Sequence, residues 1–532
     1  YSSVQELFDG EIIKVGNYYK YDWSLSISRL FLNFISWANI QDRSYDPDVA
    51  LTCYVQRPER LIYSLPLSSE NKKDYWRVFL ANNYKDYNSM VTNVKTLGEN
   101  GAIILFQSDS PIQLKGTDTV QTSLGTKLTV GDGQMFENDT RSVVNVDPSL
   151  EYGSSQDGRS VISTPFGVYY ICANQGKIFG MPGQDINDIT YSGMKFWFKE
   201  YLPYRLLKDF PNFELTANPV AGIGTQSVYS NQLETVYFMK KDWELKTQWK
   251  DPKHPLYRGP VTYVGLDDFY YDDVKLNQLV PFKLGDPKYF TPASWTVSYD
   301  PKSKEGGWIS YHDWHPNLVL PSKNNFLTIL DNGIWKHNEN TQSFCNYYGK
   351  DYPFELEFVA STQVSVNTLR SIEYYLECYK YNLNTLDRYH LLDMNFDRSV
   401  IYNTEQISGE LALFLQPKND PWGQLKYPFV NQSLQRIDIA YTKEEQKYRF
   451  NGFWDITRDR GEFTNAQQML WITNPDGYTR TLNVNNMDYT KQQFQRKKFR
   501  HYLNKCFLEK TVSGSSNFVM KVAIEKDLLS MR

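Results

Sequence analysis

The sequence predicts a mainly β protein: a β-propeller with long inserted loops, a further β-rich region after it, and few helices. Three observations predict this. Aromatic residues form 16% of the chain, with Tyr (40) ahead of Phe (30) and Trp (13), and such side chains suit a pleated, half-buried surface. Apolar runs are short and end in Gly, Asn or Asp turns, the spacing of strands and not of helices. In stretches 102–106 and 168–172 both alternating sets of side chains are apolar, so those strands must be covered on both faces, as in stacked blades or layers.

Residues 1–95 read as a mixed N-terminal segment that can belong to the propeller. Its apolar run "LSISRLFLNFISWANI" is broken by Arg29, Asn33 and serines and is too short and polar to span a bilayer. The stretch 74–94, "DYWRVFLANNYKDYNSMVTNV", predicts a helix. From residue 96 to 395 the propeller is expected. Four polar turns, each leading into an aromatic-rich strand, fall at Gly101, Gly167, Thr235 and Gly307, which are 66, 68 and 72 residues apart. Such spacing suggests a repeated multi-strand unit longer than a common blade; chance spacing of turns in a β-rich chain is the alternative. "GVYYICANQGKIFGM" reads as a hairpin turning on Ala-Asn-Gln-Gly, and "FLTILDNGIWKHN" as one turning on Asp331-Asn332-Gly333. "SGMKFWFKEYLPYRLLKD" predicts a helix capped by Ser192 and interrupted at Pro203.

Residues 396–532 are expected to form a C-terminal β-rich region. "VIYNTEQISGELALFL" should pair around 406–409, and "NFVMKVAIEKDLL" should be a strand. One basic helix is expected in "DYTKQQFQRKKFRHYLNKCF", with Asp488 as its cap.

Composition limits function. The 532 residues carry 57 Lys+Arg against 61 Asp+Glu, so no global charge draws the chain to nucleic acid or anionic lipid. Mean hydropathy is −0.55. The five cysteines (Cys53, Cys172, Cys345, Cys378, Cys506) are scattered without a CxxC pair, which points to buried free thiols and not to a disulfide framework or zinc site. No P-loop, dinucleotide fingerprint, nucleophile elbow or HExxH is present.

Three clusters could carry chemistry. "YHDWH" holds His312, Asp313 and His315; on a strand, His315 falls on the side of Asp313 and opposite His312. Two ligands on one face are fewer than a catalytic metal requires, and a strand edge ended by Pro316 is the plainer reading. "GLDDFYYDDVK" gathers Asp267, Asp268, Asp272 and Asp273, which could bind Ca²⁺ or serve glycoside hydrolysis, or be a solvated turn. Lys491, Arg496, Lys497, Lys498, Arg500 and Lys505, interleaved with Phe494, Phe499 and Tyr502, could meet phosphates or form a solvated face. The sequence does not read as an enzyme. No catalytic, metal-binding or cofactor-binding residue is assigned.

The segments "VISTPFGVYYICANQGKIFGM", "SVYSNQLETVYFMKKDW", "FTPASWTVSYDPKSKEGGWISYHDWHPNLVLPSKNNFLTI" and "FDRSVIYNTEQISGELAL" resemble parts of the tail muzzle (stabilisation) proteins of crAss-like bacteriophages, short-tailed phages of gut Bacteroidales. The likeness covers residues 158–413 and extends more loosely to "SSNFVMKVAIEKDLLSMR"; it is weakest before residue 95. It implies a structural virion protein, located in the phage tail, whose copies form a ring around the exit channel for DNA and ejected proteins. Expected partners are copies of itself, other tail ring and hub proteins, and packaged DNA or cargo in the channel. Proteins of that family are longer, and this chain begins at Tyr1 and not Met. It is therefore expected to be a C-terminal portion of such a protein, either a partial chain or a cleavage product still bound to the N-terminal portion of its precursor. Stable membrane insertion is not expected. The alternative is a glycan-binding propeller of a tail tip or cell surface, with Trp308, Trp314 and Trp335 stacking on sugars; a propeller glycoside hydrolase stands behind both.

Overall fold

The computed structural model describes residues 57–65, 79–96 and most of 101–530, with 146–152, 417–428, 456–468, 484–497 and shorter stretches outside the described residues. The chain is mainly β. It divides into two compact units, Tyr1–His337 and Asn338–Arg532.

In the first unit, Gly167–Cys172 pairs antiparallel with Lys177–Met181, placing Tyr169 opposite Gly180 and Tyr170 opposite Phe179. The turn between them is the one expected, closed by Gly176 at φ +65°. Residues 168–172 and 178–181 are all buried. The two-residue period of a strand sends Tyr169, Ile171 and Ile178 into one core. Val168, Tyr170, Cys172, Phe179 and Met181 go into another, with Ile103 and Ile186. Gly180 is required here because a Cβ would come within 2.7 Å of the Tyr169 ring.

The centre of the unit is a four-stranded sheet in the order Gly224–Ser230, Thr235–Lys241, Trp295–Asp300, Gly307–His312. Its first three strands in that order are dry on both faces. Val236, Phe238 and Val297 face the larger core, where Phe198 packs at a tilt against Trp308 at 4.7 Å and Trp197 meets Trp295 edge-on at 5.3 Å. The other face carries Gln226, Tyr237 and Ser298. A β-bulge between Ser298 and Tyr299 in the pairing with Gly307–His312 puts Trp308 and Tyr311 together on the helix side. The insert between residues 241 and 295 contributes a three-stranded sheet, Val261–Gly265, Asp268–Asp273 and Gln278–Lys283. Another follows, Leu318–Pro321, Phe326–Leu330 and Gly333–Lys336, with Asp331 at φ +54° in the expected turn.

The helix expected over 192–209 is two helices, Lys195–Tyr201 and Leu206–Asp209. Pro203 breaks them as expected. Ser192 is not the cap: it ends the 3₁₀ turn Ile189–Tyr191, and Met194 precedes the helix without a capping bond. The broken ladder leaves carbonyls that need donors, and Lys240 supplies them. Its Nζ donates to Tyr201 O (2.8 Å) and Pro203 O (2.9 Å). It also pairs with Asp242 at 2.6 Å, both side chains fully buried. Asp242 in turn accepts from the backbone N–H of Arg205 (2.6 Å) and Trp243 (2.9 Å).

The second unit is built on an eleven-stranded sheet. Leu503–Lys510 lies between Phe354–Ser361 and Arg398–Tyr402. Glu410–Leu415 runs parallel to Arg436–Glu444, and Lys447–Asn451 leads to the 15-residue strand Asn367–Tyr381. Phe518–Ser530, expected as a strand, pairs along the whole of that strand. Arg500–His501 pairs with Asn367–Thr368, while Leu503–Lys510, next in the chain, pairs near the far end of the sheet order. One segment can reach both places only if the sheet curls, and it forms a half-barrel. Ile372, Tyr374, Leu411, Ile437, Ile439, Phe450 and Leu508 fill it. The turn near 406–409 is confirmed: Asn403 Oδ1 accepts from the N–H of Glu405 and Gln406, and Ser399 pairs with Leu411.

The expected β class is shown; a full propeller is not. Several finer expectations differ from the structure. Of the four repeat marks, Thr235 and Gly307 begin strands of one sheet, so those two marks do not open successive blades. The boundary expected at 395/396 falls inside the eleven-stranded sheet, which uses strands from both sides of it. Within 74–94, residues 84–86 and 91–96 are strands, and 74–78 lie outside the described residues. The second half of the basic helix is also strand, because Phe499, Cys506 and Leu508 are buried in the half-barrel core; Asp488 lies outside the described residues.

Candidate functional site

Six histidines occur in the chain, and three of them meet in the first unit. His312 ends the strand Gly307–His312, opposite Thr296. Its Nε2 lies 3.0 Å from Ser298 Oγ. The chain then leaves strand geometry, so the alternation expected across "YHDWH" no longer applies. His315 comes back to the side of His312, with Nδ1 at 3.3 Å from Thr296 Oγ1. The same hydroxyl donates to Trp314 O at 2.6 Å. The third imidazole, His337, was missed in the sequence. It follows the strand Gly333–Lys336, and its Nε2 is 2.9 Å from Thr328 Oγ1.

Aromatic rings close the cluster. Trp314 is 5.5 Å from both His312 and Tyr237 and 4.7 Å from His337, and Phe326 lies 4.6 Å from His337. Burial pushes His312 and His337 down to about 4 and lowers His315 as well; Asp313 offsets part of the effect on His315. These imidazoles are neutral at pH 7. Among the described residues, no three His, Cys, Asp or Glu side chains are placed to hold a metal ion. A signal for His337 was present: the Asp331-Asn332-Gly333 turn fixes the hairpin register, which sets His337 beside Phe326.

The acidic cluster does not converge. Asp267 lies outside the described residues. Asp268 pairs with Lys283 at the surface, and Asp272 is exposed. Asp273 points to the opposite face, fully buried, with Arg258 at 3.3 Å. Asp268 and Asp272 are four residues apart on one strand, roughly 13 Å, whereas paired glycosidase carboxylates stand about 5–9.5 Å apart. The tryptophans do not form a platform either: Trp308 is half-buried and donates to Ile189 O, and Trp314 is buried. Trp335 is exposed.

Of the basic stretch, Lys491, Phe494, Arg496 and Lys497 lie outside the described residues. Lys498, Arg500 and Tyr502 are exposed, and Phe499 is buried. Lys505 is 3.7 Å from Glu357, and Lys510 is 2.7 Å from Asp397. Acidic neighbours thus answer both of those cations. Cys172, Cys378 and Cys506 are buried and Cys345 is half-buried, all as free thiols. Burial pushes Cys378 up to about 11 and Cys506 up to about 12, so neither is poised as a nucleophile. Cys53 lies outside the described residues. No described helix is long and apolar enough to cross a membrane. Neither a protein-family model nor a curated protein matches the chain.

Proposed function

We propose that this chain is a structural subunit of a short-tailed phage tail, one copy in a ring that forms the distal muzzle around the exit channel. The observation that supports this reading best is a set of exposed large apolar side chains on the helix Lys195–Tyr201 and on the turn and strand beside it. Phe196 is 82% exposed, and Tyr191, Ile309 and Tyr311 are each about half exposed. Tyr311 leans on Trp197 at 5.3 Å, and the Lys195 ammonium lies 4.2 Å over the Tyr191 ring. Large apolar groups gathered at a surface mark protein contacts, and a contact that repeats by rotation closes a ring. The scattered carboxylates and thiols described above are consistent with a scaffold.

The test is made on purified virions. Peptides of this chain should appear in the particle by mass spectrometry, and an antibody against 307–321 should label the tip of the tail in electron micrographs. Absence from particles, or catalytic turnover of a glycan that is lost in Asp272→Asn, overturns the reading.

A further inference from the structure

The two faces of the four-stranded sheet are held in different ways. One face carries the aromatic core and the helix Lys195–Tyr201. The other carries the three-stranded sheet 318–336. There the joint consists of the imidazole cluster with its aromatic rings, Tyr237 against Phe326 at 5.3 Å among them, and a few side-chain hydrogen bonds. Gln226 donates to Pro316 O (3.2 Å) and accepts from Val319 N–H (3.0 Å), and Lys241 Nζ bonds Asn317 Oδ1 at 2.7 Å. His312 belongs to the larger sheet and His337 to the smaller, so the joint places ionisable groups on both of its sides.

We propose that this cluster is an acid-operated joint: protonation of His312 and His337 loosens the three-stranded sheet from the four-stranded one, while the opposite face keeps its packing. Each imidazole is surrounded by aromatic rings and hydroxyls. Strand 235–241 contributes Tyr237 and the cationic Lys241; strand 295–300 contributes Thr296 and Ser298; the small sheet contributes Phe326, Thr328 and His337. Asp313 raises His315. At His312 and His337 burial and a neighbouring imidazole both oppose charge. Two like charges would face each other across the joint, with Lys241 adding a third at its rim. The small sheet is the part able to yield, because its outer strand is largely exposed and, among the described residues, no backbone ladder ties it to its neighbour.

Hydrogen exchange of the full chain at pH 7.5 and pH 5.0, corrected for intrinsic chemistry, tests the proposal. Peptides within 316–337 should exchange about tenfold faster or more at pH 5.0, while 167–181 and 195–201 stay within about twofold. Unchanged exchange in 316–337, or an equal rise in 167–181, overturns it. In a second arm, His312→Gln with His337→Gln should abolish the pH difference in 316–337; a variant that folds and keeps that difference also overturns the proposal. If the double variant does not fold, the wild-type exchange map decides alone.

Discussion

The two units solve the same problem by different means. The second gathers most of its strands into one curled sheet, so backbone hydrogen bonds run unbroken from Phe354–Ser361 to Phe518–Ser530. The first divides its strands among several small sheets and joins them through side chains: edge-on and tilted rings around Phe198, the buried Lys240–Asp242 pair and the imidazole cluster. A continuous ladder shares a local loss among many strands. A side-chain joint concentrates it, so the first unit should respond more sharply to single substitutions and to pH.

The largest effect that would break this contrast is at Phe198. Phe198→Ala should cost about 3–5 kcal/mol, read by denaturant unfolding, with lost exchange protection confined to the first unit; loss of protection in 367–381 would contradict it. Lys240→Met should come next, at about 3 kcal/mol, because it leaves Asp242 buried and uncompensated. Adding Asp242→Asn to that variant should recover part of the loss.

Acidification sharpens the comparison further. His312 and His337 have folded pKa values below their unfolded values, so the stability they allow is present above about 6.5 and falls as pH drops toward about 4. At pH 5 the loss is about 2 kcal/mol per imidazole. Asp157 works in the opposite direction. Burial raises it to about 6 despite bonds from Arg159 and Thr225 N–H, so its contribution is present below about 3.8 and lost as pH rises through 6. Thermal unfolding across pH 5–8, followed by peptide, should therefore show 316–337 weakening in acid while 153–160 does not. The smallest effect is expected at Arg398, which holds Glu509 with two bonds of 2.8 and 2.6 Å and also meets Glu410. It is partly exposed, so Arg398→Met should cost about 1 kcal/mol, checked by the denaturation midpoint.

Much of the local structure was legible. The two hairpins at 173–176 and 331–332, the turn near 406, the break at Pro203 and the dry faces of 168–172 all follow from turn chemistry and period-two patterning. The errors share a cause. "DYWRVFLANNYKDYNSMVTNV" and "FRHYLNKCF" carry apolar residues at spacings that fit a helix or a strand, and only long-range partners decide between them. Cys506, for example, is in a strand because Phe358 and Ile401 flank it across two ladders. For the candidate site, His312 and His315 were found, but their shared face was not, since it depends on where the strand ends.

The sequence by itself determined that this chain is β-rich, that its central strands exclude water on both sides, and where its tight turns lie, because those properties depend on residues a few positions apart. Tertiary structure alone decided which strands share a sheet, that residues on both sides of 395 form one half-barrel, and that His337 joins His312. Those outcomes rest on contacts between residues tens to hundreds of positions apart, and pairing at that range leaves no periodic mark in the chain.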